Sequence, residues 1–400
     1  MLRWLLAALL IPAAWGQPNS KPEPAGSGQP KWTLQYFYDE AGKDLRITDL
    51  AFPSATRGIA VGEIIDRRGR KPQFTAIVTS DGGAHWSLEP LKEFPRSIFF
   101  LNESAGWLVT SEAIWFTEEA GRSWRRIGDQ IKPNRKLADR ILDDAPNTGL
   151  ILRVCFLDER HGFAVGLQKS VYETRDGGRT WTAVAQAAQP ATGPAYSVYS
   201  QIAFADAGRG LIAGGYLPPR ANASNDEGLP DWMFPERAVG RLQQPLVSIE
   251  LETRDGGANW NAGTAPVFGS IARLRLAGSL GLAVFGYADS FEWPSEVYRL
   301  DLPTGKSQSV FKQKDRRVTD AMLFPDGHAI LAAVEPPGRL RSAPIPGKVK
   351  MLVSADLRAW TEMAVDYRAV AQSLVLAGPD AEHLWAATDT GMILQLARKP

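Results

Sequence analysis

Thr174-Arg175-Asp176-Gly177-Gly178-Arg179-Thr180-Trp181 is the stretch that says most about the architecture, because close copies of it recur along the chain. The copies share a Thr, an acidic residue two positions later, a Gly and a closing Trp, and they are Thr79–Trp86, Thr117–Trp124 and Thr253–Trp260. A shortened relative spans Ser354–Trp360. Each copy follows a β-rich run, so the pattern predicts a turn between two strands that is repeated once per structural unit.

The residue types of this repeated turn fit a structural role. A carboxylate can accept hydrogen bonds from the backbone N–H groups of its own turn, and Gly adopts positive φ without a Cβ clash. The Thr or Ser hydroxyl offers a further local bond, and the indole buries apolar surface against the neighbouring unit. We therefore assign structural roles in the four full copies to Asp81, Gly83, Trp86, Glu119, Gly121, Trp124, Asp176, Gly178, Trp181, Asp255, Gly257 and Trp260.

The repeated turn resembles the Asp-box, or BNR repeat, of β-propellers such as sialidases and the photosystem II assembly-factor-like family. The resemblance extends from Asp44 to about Trp260, and it is closest to the latter family in the phrases that end at Gly166 and Trp181. It implies a propeller that is exported or lumenal, is not an enzyme, and binds protein partners during assembly. The arginine-lined face of that family cannot be transferred residue by residue.

A second repeated phrase, a short apolar run that is usually led by Gly, divides the chain into units. It occurs seven times, for example at Gly58–Gly62 and Gly162–Gly166. We expect its small residues to suit inner strands, where backbones crowd around the central axis. The predicted blades are 44–92, 93–130, 150–186, 197–264, 269–312, 317–364 and 368–396.

The last predicted blade lacks an outer strand, whereas the aromatic run Trp32–Tyr38 precedes the first blade without a partner. Pairing Trp32–Tyr38 with Met392–Leu396 would close the ring and remove its free edges. The prediction is an all-β protein, a seven-bladed β-propeller of four-stranded antiparallel blades that is closed by the N-terminal strand.

The beginning of the chain predicts export. Residues 1–16 combine a basic start, an apolar run from Trp4 to Ala14 and small residues before Gln17, which is the pattern of a cleaved signal peptide. The apolar run is shorter than the roughly 20 residues that cross a bilayer. Residues 17–31 are rich in Pro, Gly and Ser and predict a flexible leader, which leaves 32–400 as one propeller domain in the periplasm or outside the cell.

The composition excludes several classes of function. With 45 basic and 44 acidic residues, the formal charge of +1 gives no electrostatic reason to expect a nucleic-acid partner. Cys155 is the only cysteine and is expected to be a buried small residue. The four histidines are far apart in sequence, and no phosphate-binding loop is present, so we expect neither a metal site nor a cofactor.

The long connections between the second and third strands of the blades carry the candidate binding residues. They combine arginines with aromatic side chains, which interfaces favour, and they converge on one end of the predicted ring. The candidates are Arg67, Arg68, Arg70, Trp232, Phe234, Arg237, Phe291, Trp293, Arg339 and Arg341. These residues predict a monomeric binding scaffold, with no membrane span, for a protein partner in the cell envelope or extracellular space, or for a glycan.

The alternative function is that of a sialidase-like glycoside hydrolase acting on extracellular glycans. Such an enzyme needs two carboxylates that flank the scissile bond, and Asp231 with Glu236 or Asp289 with Glu292 are candidate pairs. The chain has no Arg-Ile-Pro phrase near its first blade, which sialidases use to hold the substrate carboxylate, and no Tyr–Glu pair can be placed as a nucleophile. The scaffold is therefore the preferred prediction, and no catalytic residue is assigned.

Overall fold

The computed structural model describes residues 30–128, 131, 150–217, 247–265, 269–287, 293–335 and 346–397. Within them, regular structure is β apart from two short 3₁₀ turns at Ala185–Ala188 and Pro194–Tyr196. The first strand, β1 (Lys31–Phe37), belongs to the last sheet, and the next twenty strands form five four-stranded antiparallel sheets in chain order. These five sheets are β2 (Lys43–Ala51), β3 (Gly58–Asp66), β4 (Gln73–Thr79) and β5 (Ser87–Leu91); β6 (Pro95–Phe100), β7 (Gly106–Thr110), β8 (Ile114–Thr117) and β9 (Arg125–Ile127); β10 (Ile151–Phe156), β11 (Gly162–Gly166), β12 (Val171–Thr174) and β13 (Thr182–Ala183); β14 (Ser197–Phe204), β15 (Gly210–Tyr216), β16 (Val247–Thr253) and β17 (Asn261–Ala265); and β18 (Ser270–Ala277), β19 (Leu280–Gly286), β20 (Ser295–Asp301) and β21 (Lys306–Phe311).

The remaining strands and β1 form one nine-stranded sheet made of two antiparallel groups of four and a short extra strand. The strands are β22 (Arg317–Leu323), β23 (Ala329–Glu335), β24 (Gly347–Ser354), β25 (Thr361–Val365), β26 (Val370–Ala371), β27 (Leu374–Ala377), β28 (Trp385–Thr388) and β29 (Met392–Ala397). One group is β22–β25, and the other, the closing group, runs β27-β28-β29-β1. A short parallel pairing of β1 with β25 joins them, and β26 pairs with β24.

The N-terminal strand pairs where the sequence predicts. β1 is antiparallel to β29, with Trp32 opposite Leu396 and Phe37 opposite Met392. Trp32 is fully buried in the cluster between the β22–β25 group and the closing group. The predicted partner for Trp32–Tyr38 is therefore confirmed, and the closing group acquires its fourth strand from the other end of the chain.

The sheets form a closed ring around their first strands. β2, β6, β10, β14, β18, β22 and β27 each contact the next strand in this series, and β27 contacts β2. Apolar clusters fill the space between consecutive sheets, and the cluster that contains Ile47 and Leu50 of the first sheet also contains Ala387 and Ile393 of the closing group. Stacking of Phe52 on Trp385, with ring centroids 3.7 Å apart, seals this last interface.

The repeated turn uses its polar groups internally, as the sequence predicts. In the third sheet, Thr174 Oγ1 accepts a hydrogen bond from Gly178 N at 2.8 Å and donates one to Asp176 Oδ1 at 2.9 Å. The same carboxylate oxygen accepts Thr180 N at 2.8 Å. The turns that contain Asp81 and Asp255 repeat these bonds. Glu119 differs, because its carboxylate accepts only the Ser123 hydroxyl at 2.7 Å among the described residues.

This difference gives an internal control for the free energy that the acidic residue contributes. Asp176→Ala removes the acceptor of one backbone N–H and two hydroxyls, so we expect it to lower the free energy of unfolding by about 1–2 kcal/mol. Glu119→Ala should cost less than about 0.5 kcal/mol, because its carboxylate accepts no backbone N–H of the turn. Urea denaturation of both variants measures this, and equal losses would contradict the assigned role.

The pKa of the Asp176 carboxyl predicts how the stability difference between wild type and Asp176→Ala depends on pH. Burial raises the pKa of Asp176, but the hydrogen bonds from Thr180 and Thr174 outweigh it and hold the pKa below its usual value. A carboxyl whose folded pKa is lowered stabilises the protein above its unfolded pKa of about 3.9, and this contribution is lost as the pH falls through the folded value. The difference between wild type and Asp176→Ala should therefore shrink at acidic pH.

The tryptophan of each repeated turn packs against the preceding sheet. Trp181 and Trp260 are buried in the clusters that join their sheets to the second and third sheets. Trp86 and Trp124 are only half-buried at the corresponding interfaces, and Trp360 packs on the fifth sheet and donates its indole N–H to Val310 O at 3.0 Å. The predicted contact with the neighbouring unit is confirmed.

Two different neighbours leave no room for a side chain at the glycines of the second strands. A Cβ on the leading glycine would meet a Phe ring at or just after the end of the first strand of the same sheet, 2.2 Å away at Gly58 and 2.4 Å at Gly162. A Cβ on Gly62 or Gly166 would lie 2.1 or 1.9 Å from a carbonyl oxygen just before the first strand's irregularity. Crowding by the inner backbone is thus correct for the later glycines, whereas the leading glycine is needed because an aromatic ring covers it.

Cys155 is half-buried rather than fully buried as expected. It lies in β10, and burial of its thiol raises the pKa to about 12. The thiolate, which is the reactive form, is therefore scarce at neutral pH.

Candidate binding face

The antiparallel order of the strands gives the ring two different ends. The repeated turns join third and fourth strands, and they pack on the turns between first and second strands, as Gly82 N donating to Thr56 O at 2.8 Å and Gly177 N donating to Arg160 O at 2.9 Å show. We call this end the turn face. The connections between second and third strands, and those from each sheet to the next, lie at the opposite end, which we call the insertion face.

The basic loop of the first sheet lies on the insertion face, but two of its three arginines are already paired. Arg67 forms a bidentate ion pair with Asp44, at 2.8 and 2.5 Å, and the pair lowers the pKa of the Asp44 carboxyl. Arg70 donates to Asp66 Oδ2 at 2.6 Å. Asp66 also accepts the backbone N–H of Arg68 at 2.7 Å, which fixes the loop, and the exposed Arg68 side chain makes no hydrogen bond or ion pair within the described residues.

The predicted arginine cluster stays a prediction, and this pairing distinguishes its members. Arg67 and Arg70 are held in intramolecular ion pairs, so a ligand would have to compete with Asp44 and Asp66 for them. Arg68 is the arginine of this loop that can contact a ligand without breaking an intramolecular ion pair. The pairing of Arg67 with a residue 23 positions away could not be read from the loop itself.

Trp293 is the second predicted residue that the structure places on this face. It precedes β20, and the ammonium groups of Lys312 and Lys314 lie 5.2 and 5.6 Å from its ring centroid. Lys312 is also 3.7 Å from Glu296. The contact joins a second-to-third-strand connection with a sheet-to-sheet connection, and it produces a basic aromatic surface of the kind that cation–π pairing stabilises.

Several predicted site residues lie outside the described residues. They share positions in the long connections of the fourth and fifth sheets and of the β22–β25 group, and they are Trp232, Phe234, Arg237, Phe291, Arg339 and Arg341. The candidate carboxylates Asp231, Glu236, Asp289 and Glu292 lie outside them as well, as does the predicted export signal at residues 1–16.

The structure adds exposed apolar side chains that sequence reasoning missed. Of the five large hydrophobic side chains that are exposed in the described residues, Phe37, Tyr196, Leu217 and Tyr367 lie at the insertion-face end of their strands or connections, and Leu88 lies near the turn face. Tyr367, with 91% of its surface exposed, stands between Asp366 and Arg368, which pair with each other at 2.7 Å. An aromatic residue in a short connection between two sheets was the available signal for Tyr367.

A Tyr–Glu pair, which the sequence does not reveal, is present at the insertion-face end of the fifth sheet. The Tyr287 hydroxyl donates to Glu296 Oε2 at 2.9 Å, and Ser309 donates to the other oxygen at 2.5 Å. Burial and the bond to Glu296 raise the pKa of Tyr287, so the phenol stays protonated at neutral pH. The hydrogen bond joins the end of β19 to the start of β20.

The described residues contain no group of three or more His, Cys, Asp or Glu side chains arranged to hold a metal ion. Within the same ranges, no helix has the length and apolar character required to cross a membrane.

A closed ring of four-stranded antiparallel sheets is the β-propeller fold, and comparisons with known proteins agree. The structure of YCF48 bound to D1 peptide matches with a TM-score of 0.55 at 14% identity, over 92% of this chain and 96% of that one. YCF48 from Cyanidioschyzon merolae matches with a TM-score of 0.54, also at 14% identity, over 91% and 98%.

The sequence comparisons are narrower. Photosystem II assembly protein Ycf48 from Thermosynechococcus vestitus is 50% identical over 36 residues, which are 9% of this chain and 10% of that protein. The chain therefore spans about a tenth of the curated relative that it matches. No protein-family model matches the chain.

Proposed function

We propose that this protein is a seven-bladed propeller that serves as an exported, monomeric binding scaffold and captures a protein partner on its insertion face. The five separate sheets, the β22–β25 group and the closing group supply the seven blades, and the repeated turns are Asp-boxes. Export rests on the pattern of residues 1–16. The bound D1 peptide of one structural neighbour supports a protein as the partner class.

The observation that carries this proposal is the uneven distribution of exposed apolar side chains. Four of the five in the described residues are at the insertion face, where Arg68 and the Trp293 surface also lie, whereas Asp81, Asp176 and Asp255 on the turn face accept hydrogen bonds from their own turns. Aromatic residues and arginines are enriched at the contact centres of protein interfaces.

The experiment compares matched variants in a capture assay. Immobilised wild type and variants are incubated with an envelope fraction, and the retained proteins are identified and quantified by mass spectrometry. We expect Tyr196→Ala with Tyr367→Ala to reduce retention of the main partner at least about tenfold, since two interface anchors are removed. Leu88→Ala, at the other end of the ring, should retain it fully. Unchanged retention by the double variant would overturn the assignment of the face.

The hydrolase alternative depends on carboxylates that lie outside the described residues. A panel of chromogenic glycosides tests it directly. Turnover by wild type that is lost when Asp231, Glu236, Asp289 and Glu292 are replaced by amides would refute the scaffold function.

A further inference from the structure

In most first strands of the ring, a polar or charged residue follows a register shift in the pairing of the first strand with the second. Each first strand except β27 has a register shift, and the residue just after the shift is Asp49, Ser97, Arg153, Gln201, Arg273 or Asp320. In four cases this side chain bonds to the backbone of the next first strand. These bonds are Ile98 N to Asp49 at 3.1 Å, Ser97 to Leu152 O at 2.9 Å, Gln201 to Ala272 O at 3.0 Å and Leu376 N to Asp320 at 2.9 Å.

The two arginines at this position break the pattern. Arg153 makes no hydrogen bond among the described residues, and its Nη1 lies 3.6 Å from Asp49 Oδ2. Because Arg153 belongs to the third sheet and Asp49 to the first, this contact passes over the second sheet's first strand toward the centre of the ring. Arg273 Nε is 3.2 Å from Asp320 Oδ1, but the angle leaves this buried N–H without an acceptor.

The charges that meet at the centre do not balance. Arg153, Arg273 and Arg275 contribute three positive charges, whereas Asp49 and Asp320 contribute two negative charges. The Arg273 and Asp320 side chains retain only 11% and 1% of their exposure. Burial and the repulsion of Arg273 lower the pKa of Arg153 to about 10, which still leaves it charged at neutral pH. An excess charge in such surroundings is costly unless a counter-ion accompanies it.

We propose that the centre of the ring binds a small monovalent anion, such as chloride, between the guanidinium groups of Arg153 and Arg273. One negative charge balances the cluster, and the anion supplies an acceptor for the unpaired Arg273 Nε–H and for the Arg153 guanidinium, which makes no hydrogen bond among the described residues. Arg153, with 26% of its side chain still exposed, provides the path to solvent. The anion would hold the third and fifth sheets together at the axis.

Thermal unfolding in two sodium salts tests the site. The full chain is unfolded in about 0.1 M sodium chloride and in sodium gluconate at the same ionic strength, so that charge screening is equal. We expect the wild-type Tm to be higher in chloride by about 2 °C, since an anion that binds only the folded state stabilises it by mass action. Arg153→Gln, which balances the charges, should abolish the difference.

The matched control removes one positive charge elsewhere. Arg254→Gln changes an exposed arginine that pairs with Glu252, and it should keep the wild-type response to chloride. Equal Tm values for wild type in the two salts, or a chloride response that survives Arg153→Gln, would overturn the proposal.

A second measurement does not depend on whether a variant folds. Crystals of the wild type soaked in sodium bromide should give an anomalous peak within hydrogen-bonding distance of both Arg153 and Arg273. A soaked crystal without that peak would refute the site.

Discussion

Asp320→Asn is expected to lower the free energy of unfolding by about 3–5 kcal/mol, which is the range measured when one partner of a buried ion pair is removed. Asp320 Oδ1 accepts the Ala321 N–H at 2.7 Å, and Oδ2 accepts the Leu376 N–H of the neighbouring first strand at 2.9 Å. The same carboxylate lies 3.1 Å from Arg275 and 3.2 Å from Arg273. An amide has one acceptor oxygen, so it cannot serve both backbone groups, and it leaves both guanidiniums without their counter-charge.

The sign of the pH dependence of this variant can be stated. Burial raises the pKa of Asp320, but Arg275, Arg273 and the two backbone N–H groups outweigh it and lower the pKa. The carboxylate therefore stabilises the fold above the unfolded pKa of about 3.9, and the stabilisation is lost as the pH falls through the folded value. The difference between wild type and Asp320→Asn should be constant near neutral pH and smaller in acid.

Asp315→Asn is the matched control for the measurement, which is guanidinium denaturation followed by tryptophan fluorescence. Asp315 is exposed and pairs with Arg316 at 2.8 Å, so its amide should change the free energy of unfolding by less than about 0.5 kcal/mol. A loss below about 1 kcal/mol for Asp320→Asn would mean that water or rearranged side chains replace the network, and the buried charges would then contribute little to joining the sheets.

The architecture was predictable because the repeated turn specifies its own conformation. Thr174, Asp176 and Gly178 bond to one another within a few residues, so their identities can be read locally. The spacing of such turns then fixes the strands on either side. The pairing of β1 with β29 was predictable for a related reason, since one outer strand was missing and one aromatic strand had no partner.

The chemistry of the ring's centre and of the insertion face was not predictable in the same way. Arg67 pairs with Asp44, and Arg153 lies beside Asp49. These residues are far apart in sequence, and their contacts depend on how the strands and sheets are placed. Two arginines of the basic loop, Arg67 and Arg70, form intramolecular ion pairs in the structure. Arg153, which lies within an apolar strand, belongs to a cluster of charged side chains. The exposure of Tyr367 likewise depends on the packing of the two sheets that it connects.

Gly214→Ala is expected to cost about 2–4 kcal/mol, because the added methyl group would collide with rigid backbone. A Cβ at Gly214 would lie 1.7 Å from Val198 O and 2.8 Å from Tyr199 Cα. Neither atom can move by a change of rotamer, and Tyr199 is fully buried against the third sheet. The first and second strands of the fourth sheet would have to separate at the level where the ring is tightest.

Gly286→Ala provides the comparison, since Gly286 also belongs to a second strand but its Cβ would have nothing nearer than Ser270 Oγ at 3.9 Å. We expect that variant to change stability by less than about 0.5 kcal/mol, and Ala reduces the freedom of the unfolded chain. The β22–β25 group shows that the position itself tolerates a side chain, because Ala333 faces Val318 just before the shift as Gly214 faces Tyr199. The first and second strands of that group are thus far enough apart for an Ala side chain. Equal urea midpoints for Gly214→Ala and Gly286→Ala would contradict the prediction, because they would show that the first two strands of the fourth sheet can separate in the same way.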